Sequence, residues 1–203
     1  MLEGMICFGN KFVARSSMAL LLAGFATVPT VIPAKAASAS SSADRPTPKI
    51  NVRIYSFPGL SPWVRHGAEI EAERLLRPVV IQLNWIDCTT RVVTGSCMSP
   101  PLATDLIVRF IAKELPQAST HALGITDSSD RDAAAFIFYD RALALRTHTR
   151  PLPMILGRVL AHEIIHLLLP EEGHSDVGLM RGQWTVDDLS IAGSARVLMD
   201  SIH

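Results

Sequence analysis

The segment AHEIIHLLLPEEGHSDVGLM, Ala161 to Met180, holds His162, Glu163, His166 and His174. His162 and His166 are four residues apart, so on a helix their side chains stack on one face. Two imidazoles placed this way can hold one Zn²⁺ at about 2.0–2.1 Å. Glu163 lies about 100° further round the helix. It therefore flanks such an ion rather than joining its ligands, which is where a base for water belongs. A catalytic zinc needs a third protein ligand and keeps one position open. His174 is the candidate, because Pro170 ends the helix and Gly173 permits a sharp reversal before it.

These side chains must be held by the elements around them. The motif helix carries Leu152, Ile155, Leu156, Val159, Leu160, Ile164, Ile165, Leu167 and Leu168. It is apolar nearly all round and is therefore expected to be buried. Two histidines and a glutamate on a buried helix need partners, at a cost of several kcal/mol without them, and a metal supplies them. Upstream, Ile50–Phe57 alternates apolar and polar residues and predicts a strand. Ser61 as cap with Pro62 at the first position predicts a helix to about Leu76. Val79–Asp87, Thr104–Ala112 and Ala133–Leu143 predict three more strands, with a polar stretch from Pro116 to Asp132 before the last. Arg150–Pro153 opens the motif helix. Thr185 caps a final helix whose first turn holds Asp187 and Asp188. The order predicts an α+β fold: a small mixed sheet with packed helices, one of them carrying HExxH, and a C-terminal helix.

The N-terminal part predicts export. Lys11 and Arg15 precede an apolar run from Met18 to about Val31, and AKA follows at Ala34 to Ala36. A basic region, a short apolar core and small residues at −3 and −1 make a secretory signal over residues 1–36. The apolar run is short for a spanning helix. Residues 37–49, rich in serine, alanine and proline, read as a flexible linker, and residues 50–203 as the catalytic domain. Cleavage leaves about 170 residues, enough for one core. Cys88 and Cys97 remain, and an oxidising, extracytoplasmic compartment predicts a disulfide between them. Among 203 residues, Lys+Arg and Asp+Glu number 19 each, so the formal net charge is zero. That balance gives no electrostatic claim on nucleic acid.

HEIIHLLLPEEGHSDVGLM resembles the zinc-binding segment of the metzincin metallopeptidases, above all the matrixin-like branch. It is also similar to short exported bacterial proteins of the metzincin-like class that carry HSxxGxMR. The resemblance implies that His162, His166 and His174 are zinc ligands, that Glu163 is the general base, and that Met180 is the methionine of the turn under the metal. It implies a zinc endopeptidase acting as a monomer on a peptide or protein substrate, with no nucleic-acid partner and no stable membrane partner once the signal is removed. The close likeness spans about Ala161–Trp184. The order of elements before it fits the metzincin N-terminal subdomain, with Ala133–Asp140 as the edge strand that pairs with substrate. The chain departs from the pattern in three places. Leu169 stands where the family has glycine, the span from His166 to His174 is two residues longer, and the span from His174 to the methionine is shorter. Glu171, Glu172 and Asp176 therefore stay open as a third ligand, as does an acidic residue of the last helix, Asp187 or Asp188, as in gluzincin-like enzymes. A non-catalytic zinc-containing binding module is the alternative outside enzymology.

Weaker signals complete the list. Tyr139 and Arg181 are donors able to steady an oxyanion, although a sheet tyrosine and a solvated arginine are the plainer readings. Asp127–Asp132 offers oxygen ligands without the full calcium-loop pattern. Trp184 either walls a cleft or packs the last helix. His66, His121, His148 and His203 show no ligand spacing.

Overall fold

Five strands form one mixed sheet in the computed structural model, which describes residues 6–7 and 49–190 except 80–81, 90–94, 114, 117, 129–132 and 171–172. β1 (Ile6–Cys7) is a two-residue strand that pairs antiparallel with β7 (Gln183–Trp184). The sheet proper contains β2 (Lys49–Ser56), β3 (Gln82–Asp87), β4 (Leu106–Ile111), β5 (Gly124–Asp127) and β6 (Ala134–Phe138). Its order is β3-β2-β4-β6-β5, with β5 antiparallel to β6 and the other pairings parallel. Among the described residues three helices accompany it: α1 (Pro62–Leu76), α2 (Tyr139–Ala144) and α3 (Leu152–Leu168). Among the described residues, no helix is long and apolar enough to cross a membrane. The rest of the expected signal, the linker up to residue 48 and the body of the expected last helix lie outside the described residues.

Strand alternation puts one set of side chains under the helices. Val52 and Ile54 of β2, Val108 and Phe110 of β4, and Ala135 and Ile137 of β6 share one buried cluster. The same cluster holds Ala68, Ala72 and Leu75 of α1 and Ile155, Leu156 and Val159 of α3. α3 is buried nearly all round, as its composition predicts. It packs on α1, α2, β5 and β6. The α1–α3 crossing is close at Gly157, where an added Cβ would lie 2.7 Å from the Ala68 carbonyl oxygen and 2.5 Å from Glu71 Cβ. Any side chain there would force the two helices apart.

Three sequence expectations change. Ala133–Leu143 is not one strand: it divides into β6 and α2, with Tyr139 already helical. The polar stretch before it hides a strand, β5. β6 is therefore not the edge. It is flanked by β4 on one side and β5 on the other, so both of its hydrogen-bonding edges are used. The edge strand on this side is β5. Elsewhere the agreement is close. α1 begins at Pro62 as expected, although Ser61 makes no side-chain cap hydrogen bond. The second strand is shorter than expected, because Arg77–Val79 forms a 3₁₀ turn first.

Cys88 and Cys97 form the expected disulfide, with Cα atoms 5.5 Å apart. Closing a loop of this length contributes about 2–3 kcal/mol in the chain-entropy picture. The bond is compatible with an extracytoplasmic location. The chain that follows is fastened to the sheet by Arg53. Its Nε donates to Asp105 Oδ2 at 2.8 Å, and its Nη1 donates to the Ser99 carbonyl at 2.7 Å. Burial alone would push the Asp105 carboxyl up. Hydrogen bonds from Asn51, the Leu102 N–H and Arg53, with the charge of Arg53, outweigh it and hold the carboxyl below its ordinary value of 3.8. A depressed carboxylate stabilises the fold above its unfolded pKa, and that contribution is lost as pH falls through the folded value. Urea unfolding should therefore show stability declining below about pH 4. Asp105→Asn should cost about 2 kcal/mol at pH 7 and flatten that decline. Equal acid slopes in wild type and variant would contradict this account of Asp105.

Candidate metal centre

His162 and His166 lie on consecutive turns of α3, and the chain after that helix brings His174 back to them. The return is built by main-chain bonding. The Ser175 N–H donates to the Met180 carbonyl at 2.8 Å, and Ser175 forms a β-bridge with Arg181. The Arg181 N–H donates to the Gly178 carbonyl, closing a turn in which Gly178 has φ 70°. That left-handed conformation suits glycine alone at low cost. Glu171 and Glu172, which precede the expected reversal at Gly173, lie outside the described residues, and Gly178 is a positive-φ glycine after His174. Gly182 then lies against His174, where an added Cβ would stand 3.0 Å from His174 Cβ and Cγ.

The three imidazoles converge. His166 Nε2 stands 3.1 Å from His162 Nε2 and 3.3 Å from His174 Nε2. One ligand atom from each of the three lies within 4.8 Å of the others. Tetrahedral ligands at 2.0–2.1 Å from one ion are about 3.3 Å from each other, so the distances from His166 to the other two suit a zinc-sized ion. His162 is fully buried and its Nδ1 is 2.8 Å from the Leu179 carbonyl oxygen. A carbonyl only accepts, so Nδ1 carries the proton and Nε2 keeps its lone pair toward the group. Burial, and then the neighbouring His166, hold the His162 pKa well below its ordinary value of 6.5. Burial also lowers that of His174. Neutral imidazole is the form that ligates metals. Trp184, 1% exposed, sets its ring edge-on to His162 with centroids 5.6 Å apart. It therefore backs the His162 ring as well as packing the core.

Glu163 is 1% exposed and points toward the sheet. Its Oε2 accepts a hydrogen bond from Thr126 Oγ1 at 2.7 Å, and its Oε1 has no hydrogen-bond partner among the described residues. Desolvation, only partly opposed by Thr126, raises its pKa from 4.5 to about 8. A buried carboxyl next in the chain to one of three clustered histidines is an arrangement expected of a functional site.

The acidic alternatives for a third ligand fare differently. The Asp188 carboxylate accepts from the Thr185 N–H and hydroxyl, both at 2.8 Å, and from Arg181 at 3.2 Å. The Asp188 N–H returns a bond to Thr185 Oγ1 at 3.2 Å. These bonds have the reciprocal pattern of a capping box, over residues 186–189 that form a turn, while residues 191–203, where the body of the expected last helix falls, lie outside the described residues. Asp176 and Asp187 are exposed and belong to no metal-type group found among the described residues. Glu171 and Glu172 lie outside the described residues.

The two oxyanion candidates are also engaged elsewhere. Tyr139 packs edge-on against Phe57, with centroids 5.1 Å apart, and Arg181 pairs with Asp188. His66 contacts Glu69, and His121 and His148 are exposed, while His203 and Asp130–Asp132 lie outside the described residues.

Four contributors had weak or absent sequence signals. The Leu179 carbonyl is a backbone group and leaves no mark in the sequence. Gly124 and Thr126 sit in a stretch that reads as loop. Arg158, one helical turn before His162, is fully buried, and its guanidinium donates to the carbonyls of Asp188 and Ser190. An arginine on an otherwise apolar helix was the available signal for it. Searches of protein-family models and of curated proteins return no match for this chain.

Proposed function

We propose that this chain is an exported zinc-dependent endopeptidase with a metzincin-like fold. The observation that carries the proposal is the gathering of three imidazoles, with His166 Nε2 at 3.1 and 3.3 Å from those of His162 and His174, together with a buried glutamate next after His162 on the helix. His162, His166 and His174 would hold the ion. Three protein ligands leave a tetrahedral ion one open position, the arrangement of catalytic rather than structural zinc. Zinc held there supplies Lewis acidity, which acidifies water and polarises a carbonyl. Glu163 takes the proton of the attacking water and passes it to the leaving amine. Leu179 and Trp184 fix the His162 ring so that its lone pair stays on target. β5 offers its outer edge to an extended peptide, whose main chain adds as a further strand. This replaces β6 in the substrate-pairing role.

The test is cleavage of a defined peptide mixture by the mature, zinc-replete protein, read as new termini by mass spectrometry. Internal cleavages that vanish with a chelator and return with zinc are expected. A metal-replete protein that leaves every peptide intact would contradict the proposal.

A further inference from the structure

We propose that Thr126 is the positioning residue for Glu163. Its hydroxyl anchors Oε2, so that Oε1 is the oxygen that handles the proton, and Gly124 supplies the recess in which Oε1 sits. This rests on the reading of Glu163 as the base.

The sheet register puts both residues in place. Thr126 pairs with Ala135 and Gly124 pairs with Ile137. Ala135 and Ile137 face the buried cluster with α3. Paired residues share a face, so Gly124 and Thr126 also face α3, on the strand that reaches Glu163. Thr126 Oγ1 has one proton. The Glu163 side chain accepts it at 2.7 Å, while its own main-chain oxygen lies further off at 3.3 Å. The shorter distance is that of a hydrogen bond to a carboxyl oxygen. The β-branched side chain of threonine is stiff at χ1, so the donor is held in one orientation.

At Gly124, a Cβ would lie 2.8 Å from Glu163 Oε1, 2.9 Å from Val159 Cγ1 and 3.0 Å from the Phe136 carbonyl oxygen. The last is sheet backbone and cannot yield, so a side chain there must displace the carboxyl. Glu163 Oε1 accordingly keeps its place because position 124 is glycine. A buried acceptor with no donor is costly. It is tolerated where the oxygen has a task.

The experiment uses the full zinc-loaded chain with Thr126→Val, Thr126→Ser and Gly124→Ala, and Glu163→Gln as reference. Valine keeps the shape and deletes the hydroxyl. Zinc content is expected to match wild type in all four. Thr126→Val should lower kcat for peptide cleavage about 10–100-fold with KM little changed, the range expected for a misplaced catalytic group. Thr126→Ser should restore most of it, and Gly124→Ala should lower kcat without loss of zinc.

A second readout does not need turnover. The infrared band of the Glu163 carboxyl, isolated by subtracting the Glu163→Gln spectrum, should shift in Thr126→Val and return in Thr126→Ser. An unshifted band in Thr126→Val, or equal kcat losses in the valine and serine variants, would overturn the proposal. Thr126→Ala takes the place of the valine variant if the latter fails to fold. Absence of cleavage by wild type would sink the peptidase reading, and the infrared band would still decide whether Thr126 holds Glu163.

Discussion

Glu163→Gln should abolish peptide cleavage, by about 10²–10⁴-fold in kcat, and leave zinc bound. Glutamine keeps the size of the side chain and an oxygen for the Thr126 hydroxyl, so the packing around α3 survives. It cannot accept and return a proton at the operating pH, so the step that needs a base is lost. Glu163 is also absent from the group of side chains close enough to share an ion, which is formed by His162, His166 and His174. Zinc content should therefore be unchanged. The carboxyl is buried and costly to desolvate, so replacing it with a neutral amide should not lower stability. Equal kcat in wild type and variant would remove Glu163 from the chemistry. Loss of zinc in the variant would assign it to the ligand set instead.

The second large effect is on stability. Arg158→Met should cost about 3 kcal/mol in urea unfolding, the lower end of the range for breaking a buried ion pair. Arg158 is fully buried in α3 and its Nε lies 3.6 Å from Glu71 Oε1. Burial pulls its pKa down, and the charge of Glu71 opposes that. Its two terminal nitrogens donate to the carbonyls of Asp188 and Ser190, which ties the segment after Trp184 to the motif helix. Glu71 keeps Arg74 as a partner, with bonds of 2.7 and 2.9 Å, and this limits the loss. Releasing that segment also loosens the backing of His162 by Trp184 and Leu179. Zinc affinity should fall about tenfold, as when a partner behind a ligand is lost. Arg158→Lys should not rescue either property, because one ammonium cannot reproduce a planar fork that reaches two carbonyls. A loss below about 1 kcal/mol would show that the fork is incidental.

The metal-type residues were legible in the sequence because helical geometry is regular. A spacing of four puts His162 and His166 on one face whatever surrounds them, and the structure places their Nε2 atoms 3.1 Å apart. His174 was legible because Pro170 marks where the helix must stop. The disulfide followed from an isolated pair of cysteines in a chain read as exported. What escaped the sequence depends on tertiary register. β5 has only four residues, GITD, and gains its identity from pairing with β6 rather than from any internal alternation. Without β5, Ala133–Asp140 reads as the edge. The β6–α2 junction escaped for a related reason: FIFYDRAL is apolar enough for a strand, and local composition does not mark the change at Tyr139. The turn at Gly178 escaped because a single glycine in a polar stretch does not announce a positive φ. The carbonyl that orients His162 lies in the main chain, where residue type carries no information.

Zinc per chain, measured in the metal-replete mature protein beside His174→Ala, tests the three-histidine centre most directly. The account predicts about one zinc in wild type and a clear loss in the variant. Wild-type protein without zinc would contradict it, and one zinc in both proteins would remove His174 from the site.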